Sequence, residues 1–414
     1  MRTKRSGRHG AVAALACLLV TLTAGCAHEP APGPTVDATT SARHYAADPA
    51  TAVAGTLLES APDPTVDVRV SRAHARATRI VFRSTDGVTG GPTAVTGMVF
   101  TPQGVAPPQG WPVVAFGPPV AGLAANCGPS RHSDLLGNGT TVEFLLQQGY
   151  LVVMPDYQRS ETDVHPYLAP RSLGNNMIDA VRAARQLEPG AGERWAAYGS
   201  NEGGEAAWAA AELAPSYGQG MTLVAAAALN PTADVSALPL VAVNDGLGPG
   251  QLLMMLYAAN AMSAEMPGTR LDDYVHGFTR EHNDVLIACG DPASRALAGS
   301  GVSPGDLRPT DAAVAARMSD FLRPRALSGD LGAAQAPVLV MVGAQDRTVR
   351  PEWTAAVVQG ACARGEHITY LVRVAEGHDD LQQRPALAWI ANQFKGTDVD
   401  PFGGPSEGAR CNAP

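Results

Sequence analysis

Apolar residues along this chain fall into short unbroken runs separated by longer stretches of helical spacing. Unbroken runs occupy Trp111 to Phe116, Tyr150 to Met154, Trp195 to Tyr198, Met221 to Leu229 and Val338 to Val342. A strand that is apolar on both faces belongs in the buried middle of a parallel sheet, because a strand with one wet face alternates instead. Between the runs, Thr140 to Gln148 reads as a helix ended by Gly149. In Leu173 to Leu187, residues Met177, Ile178, Val181, Ala184 and Leu187 carry the helical period. Strand and helix alternate, which predicts a doubly wound, mostly parallel α/β sheet. Residues Arg79 to Thr101 differ: polar and apolar positions alternate across Asp86-Gly87 and Gly90-Gly91-Pro92, predicting a hairpin of edge strands.

The alternation fails from about residue 230 to 335. That stretch holds helical segments such as Gln251 to Met262 and Leu271 to Ala288 among Gly/Pro turns, so it reads as a helical lid inserted before the strand that leads to Asp346. Met254, Met255, Leu256, Tyr257, Met262 and Met266 give the lid either an adaptable apolar surface or a core of its own.

The chain begins with Arg2, Lys4, Arg5 and Arg8, then an apolar run from Ala11 to Leu22 that is too short to span a bilayer, closed by Leu22-Thr23-Ala24-Gly25-Cys26. Residues 1–25 read as a lipoprotein signal peptide, with Cys26 as the lipidated residue that anchors the protein at the outer side of the cell membrane; a plain secretory peptide is the alternative. Residues 26–56, rich in Pro, Ala, Thr and Asp without apolar period, read as a flexible tether, and residues 57–414 as the folded domain. Losing a leader with four cations takes the formal charge from −9 to about −13, which argues against a nucleic-acid partner. Four cysteines remain in that domain, and an oxidising compartment favours pairing them. Of three possible pairings, Cys127 with Cys289 and Cys362 with Cys411 is favoured; the second closes a loop worth roughly 4 kcal/mol by chain entropy.

Chemistry concentrates after the run at Trp195. Gly199-Ser200-Asn201-Glu202-Gly203-Gly204 has the form of a nucleophile elbow, a strand-to-helix turn that needs small residues two before and two after its centre. Centring it on Ser200 puts Tyr198 and Glu202 at the crowded positions; centring it on Asn201 puts Gly199 and Gly203 there. Downstream, Asp346 follows one buried strand and His378 follows another, Thr369 to Glu376. Asn201, Asp346 and His378 therefore keep the chain order nucleophile, acid, histidine, each at the C-terminal end of its strand. His132 near Asp134, and His378 near Asp379 and Asp380, lack metal-ligand spacing and read as solvated loop residues, as His276 and His282 read as lid surface; no metal or other cofactor is expected.

Several ordered words resemble the secretory lipase family of fungal lipase A-like and actinobacterial lipases: Cys127-Gly128-Pro129-Ser130, Gly149 to Gln158, His165-Pro166-Tyr167-Leu168, Asp179 to Ala184, the elbow, Gly343 to Pro351 and Gly377-His378. The resemblance covers about Arg79 to Cys411. It implies an α/β-hydrolase fold with a helical lid and carboxylic-ester hydrolysis on lipid-like substrates. It also places the family serine at Asn201 and the family oxyanion segment at Pro118 to Gly122, where Pro119 offers no N–H and Val120 could; Glu202 would supply the second donor.

An amide cannot serve as the hydroxyl nucleophile, and loss of that serine costs about 10⁶ in kcat in serine proteases. Two classes of function follow. One is a pseudo-hydrolase lipoprotein that binds a lipid or ester-like small molecule, or a partner, in the old lipase cleft. The other is an active carboxylic-ester hydrolase with a non-standard nucleophile: Ser200, a water activated by Asp346 and His378, or an aspartate made from Asn201.

Overall fold

Among the described residues, the unbroken apolar runs become the centre of one eleven-stranded sheet. The structure, a computed structural model, describes residues 43–45, 48, 50–159, 164–244, 246–290, 299–397 and 406–411, the last segment as backbone except at Cys411. The signal peptide, Cys26 and most of the expected tether lie outside these residues.

The strands are β1 (Arg43–His44), β2 (Leu57–Pro62), β3 (Ala75–Thr85), β4 (Pro92–Pro102), β5 (Trp111–Gly117), β6 (Leu151–Pro155), β7 (Ala191–Ser200), β8 (Thr222–Leu229), β9 (Val338–Gly343), β10 (Ile368–Arg373) and β11 (Ser406–Cys411). Their order across the sheet is β1-β2-β3-β4-β6-β5-β7-β8-β9-β10-β11. Neighbours from β6 to β10 run parallel, and the pairs toward both edges are antiparallel. The helices are α1 (Val68–Arg72), α2 (Gly139–Gln147), α3 (Pro170–Leu187), α4 (Glu202–Tyr217), α5 (Leu238–Val243), α6 (Pro249–Glu265), α7 (Gly277–Glu281), α8 (Asn283–Leu286), α9 (Ala312–Leu322), α10 (Pro351–Ala363) and α11 (Arg384–Lys395).

Successive strand residues point to opposite faces, and each face has its own core. Val113, Ala115, Trp195 and Ala197 pack under α3, α4 and α10, whereas Val114, Phe116, Ala196 and Tyr198 pack under α1, α2 and α11. Alanines fill the buried face of α4, so this helix lies close on the sheet directly behind the elbow. The fold is that of an α/β-hydrolase.

Three expectations change. The predicted edge hairpin, β3 and β4, lies inside the sheet: β4 pairs with β6 and β3 with β2. Alternating polarity reports one wet face, which an interior strand can also have. The chain joins the sheet before the expected end of the tether, since Arg43 and His44 pair with Ser60 and Glu59. Finally, Leu271 to Ala288 is broken into a 3₁₀ turn, α7 and α8, with Gly277 at φ 50° at the break and the His276 N–H turned to Asp306 O.

The lid forms a third cluster of buried residues, separate from the two sheet cores. Met254, Met255, Leu256, Tyr257 and Met262 are its interior, while Met266 is 43% exposed. The methionines are therefore mainly the lid's own core. Both favoured disulfides are present: Cys127–Cys289 and Cys362–Cys411. The first ties the Pro118–Cys127 loop to the lid, beside bonds from Leu123 N–H to Ile287 O and from Gly290 N–H to Ala121 O. No described helix is long and apolar enough to cross a membrane.

Candidate active site

Strand β7 ends at Ser200 and α4 begins at Glu202, leaving Asn201 alone at φ 56° and ψ −124°. A non-glycine residue takes this conformation only when its surroundings enforce it. They do so through close backbone approach: a Cβ on Gly199 would overlap Gly203 O, and one on Gly203 would overlap Gly117 O. The crowded positions are thus those that flank Asn201 by two. Ser200 pairs in the strand with Leu229 and lines the cleft, without the elbow backbone.

Asp346 lies three residues past the end of β9 and is 4% exposed. Its Oδ1 accepts from the N–H groups of Thr348 (2.8 Å) and Val349 (2.9 Å), which turns Oδ2 toward His378 Nδ1 at 2.7 Å. Nε2 of the same ring is 2.7 Å from Asn201 Nδ2. Asn201 Oδ1 accepts the Glu202 N–H at 2.7 Å. The orientation of every group follows from one obligate donor. A backbone N–H can only donate, so the amide oxygen faces Glu202 and the amide nitrogen faces His378. That nitrogen can only donate, so Nε2 accepts, and Nδ1–H donates to Asp346. The result is a closed chain of hydrogen bonds through a neutral imidazole.

One consequence concerns the second oxyanion donor expected from the sequence. The Glu202 N–H is already satisfied by the side chain of Asn201. Its carboxylate points away from the cleft: Oε1 meets His165 Nε2 at 2.8 Å in the protein interior, with Glu202 0% and His165 5% exposed. Val120 and Pro119 line the cleft with Asn201 and His378.

Two residues at the site received no role from the sequence. Asn230, buried at the end of β8, donates to the carbonyls of Gly377 (3.2 Å) and His378 (2.9 Å) and accepts the Gly343 N–H (3.0 Å). It fixes the histidine loop to the end of β9. The visible signal is a polar Asn-Pro pair closing an apolar strand. His165 belongs to one of the quoted words, yet nothing local announces that its partner lies 37 residues away.

The cleft at Asn201 has a volume of about 270 Å³, and Asn138, Thr141, Ser200, Asp379 and Gln383 make its lining largely polar. A larger cavity of about 610 Å³ lies against the lid, walled by Met262, Met266, Tyr274 and Phe321, and shares no lining residue with the cleft. Elsewhere, His132 Nε2 meets Asn126 O at 2.8 Å, His276 Nε2 meets Arg308 O at 2.9 Å, and His282 stacks on Phe278. None of them reaches Asn201 or Asp346.

Comparison with known proteins places this geometry. The lipase A of Candida antarctica superposes with a TM-score of 0.68 at 18% identity, over 86% of each chain. The rice cell wall degrading esterase LipA of Xanthomonas oryzae gives 0.64 at 20% identity, covering 83% of this chain and 97% of that one. In sequence, a Mycobacterium tuberculosis protein named probable inactive lipase MT1628 is 27% identical over 171 residues, 38% of this chain. The match spans only 37% of that relative's length. The family model for secretory lipases matches residues 136–400, which takes in the elbow, the lid and the strands leading to Asp346 and His378. With more than half of its sequence matched by that model, the chain belongs to the secretory lipase family.

Proposed function

We propose that this protein is a cell-surface lipoprotein, anchored through Cys26, that binds a compact ester- or acid-like ligand in the cleft at Asn201 without hydrolysing it. One observation carries the reading. The Asn201 carboxamide occupies both hydrogen-bonding positions that ester hydrolysis needs free: it donates to His378 Nε2 and accepts the Glu202 N–H. A neutral imidazole whose lone pair is already engaged cannot take a proton from a water or a hydroxyl, and a donor already engaged cannot meet a developing oxyanion. The volume of about 270 Å³ and the polar lining favour a short acyl group over a long chain. The family supports an ester-like ligand; the residue roles and the anchor are our assignment.

Replacing Asn201 with serine tests this. Asn201→Ser frees the Glu202 N–H and puts a hydroxyl beside His378, while Gly199 and Gly203 already meet the steric demand. The variant is expected to hydrolyse p-nitrophenyl acetate weakly and to be labelled by a fluorophosphonate. Its rate stays limited because Pro119 leaves the oxyanion hole short of a donor, worth about 10² to 10³. The wild type is expected to show neither. Wild-type turnover at lipase rates, unchanged in Asn201→Ala, would refute the reading.

A further inference from the structure

The torsion about the Cα–C bond of Asn201 is ψ −124°. In an L-residue Cβ lies about 120° from the backbone nitrogen around this bond, on the side where ψ near −120° eclipses Cβ with the nitrogen of the next residue. Asn201 Cα, C, Cβ and Glu202 N are therefore almost coplanar, as in a five-membered imide ring. The carboxamide is folded onto the same nitrogen. Glu202 N is 2.7 Å from Oδ1, so Cγ, one carbonyl bond of about 1.23 Å away from that oxygen, lies within about 3.9 Å of it. On the far side of Cγ, the amide nitrogen that would depart is 2.7 Å from His378 Nε2, with Asp346 holding the ring.

We propose that Asn201 is a site of covalent self-modification: the backbone nitrogen of Glu202 closes on Asn201 Cγ to form a cyclic imide, and ammonia is released. The N–Cγ bond forms as the Glu202 nitrogen gives up its proton to water in the cleft; once Cγ is tetrahedral, Nδ2 turns its lone pair toward His378 and releases Nε2, which takes that proton up. The addition places negative charge on Oδ1 at the N-terminus of α4, where the helix dipole favours it. His378 then delivers its proton to Nδ2 as the Cγ–Nδ2 bond breaks. Water adding at Cγ opens the ring to an aspartate at this position, and water adding at the backbone carbonyl opens it to the isoaspartyl form. No oxidant or co-reactant other than water enters. The inference stands on backbone torsion and contacts, independently of any ligand in the cleft.

The test follows the peptide containing residues 201 and 202 by mass spectrometry. The full mature chain is incubated at neutral pH, folded or in urea, and hydroxylamine is used to cleave any imide between the two residues. Folded wild type is expected to lose ammonia from Asn201 faster than the urea-unfolded chain, with Asn260 as an internal reference that shows no such gain. His378→Ala is expected to slow the folded reaction roughly 10²-fold, the lower end of what a positioned acid–base group contributes. A folded-state rate equal to or below that of the unfolded chain would overturn the proposal, whether or not the variant folds. So would a folded His378→Ala protein that reacts as fast as the wild type.

Discussion

The first turn of α4 has two sides that treat polar groups in opposite ways. On the cleft side, Asn201, His378 and Asp346 form a closed chain in which each polar atom facing another has a matching partner. On the buried side, Glu202 and Glu205 are fully enclosed, with Oε2 of the first and Oε1 of the second unpartnered, beside Gln158, whose side-chain amide is unpartnered at both atoms. Burial first, and then the charges of Glu202 and Glu205, push the Tyr157 hydroxyl well above its ordinary value. One helix end thus separates an interlocked face from a face of enclosed, incompletely partnered acid groups. Replacing a cleft residue should change chemistry and cost little stability, whereas replacing a buried partner should do the reverse.

The largest effect is expected at His165. It provides the hydrogen bond to Glu202 Oε1, and Oε2 has none. His165→Ala therefore leaves an enclosed carboxylate without a partner, a change that costs about 3 to 5 kcal/mol. Urea unfolding measures it. Adding Glu202→Gln should recover part of the loss, because a neutral amide is easier to bury than an unpaired charge. A single variant within about 0.5 kcal/mol of wild type would erase the contrast between the two sides.

How much of this was legible depended on range. The elbow was, because Gly199 and Gly203 meet their demand within five residues, and so were the central strands, whose unbroken apolar runs encode burial on both faces. The order Asn201, Asp346, His378 placed each of the three at the C-terminal end of its strand. The interlock was not legible, since the orientation of the Asn201 amide depends on a torsion and on a ring 177 residues away. The hairpin of β3 and β4 misled because alternation describes the faces of a strand and is silent about its neighbours. Glu202 misled for a related reason: its N–H was read as an oxyanion donor, and nothing in the sequence announces that the neighbouring Asn201 side chain takes it.

A smaller effect, visible as pH dependence, is expected at Glu205. Burial raises its pKa well above the ordinary carboxylate value, Thr232 and Arg325 lower it, and Glu202 raises it further. A carboxyl with a raised folded pKa binds its proton more tightly when folded than when unfolded. Its contribution is fully present below the ordinary value of 4.5 and is lost as the pH rises above it. The slope for one such group is at most about 1.4 kcal/mol per pH unit. Glu205→Gln, which keeps a neutral side chain beside Thr232, should therefore flatten the decline of stability between about pH 5 and 7 relative to wild type. Parallel curves for the two proteins would show that Glu205 is not the suppressed charge.

The smallest effect separates strain from capping at Asn201 itself. Its side chain caps α4 through the Glu202 N–H, and losing such a cap costs about 1 kcal/mol. Its backbone sits at φ 56°, which a residue with a Cβ holds at a cost and glycine does not. Asn201→Ala loses the cap and keeps the strain, so it should be about 1 kcal/mol less stable than wild type. Asn201→Gly loses the cap but relieves the strain, so it should recover most of that difference, even though glycine has the greater freedom in the unfolded chain. Both variants also remove the amide that donates to His378 Nε2. Equal stability of the alanine and glycine variants would mean that the elbow backbone stores no strain here. The cleft side would then be held by its hydrogen bonds alone, and the approach of Glu202 N to Cγ would owe nothing to an enforced torsion.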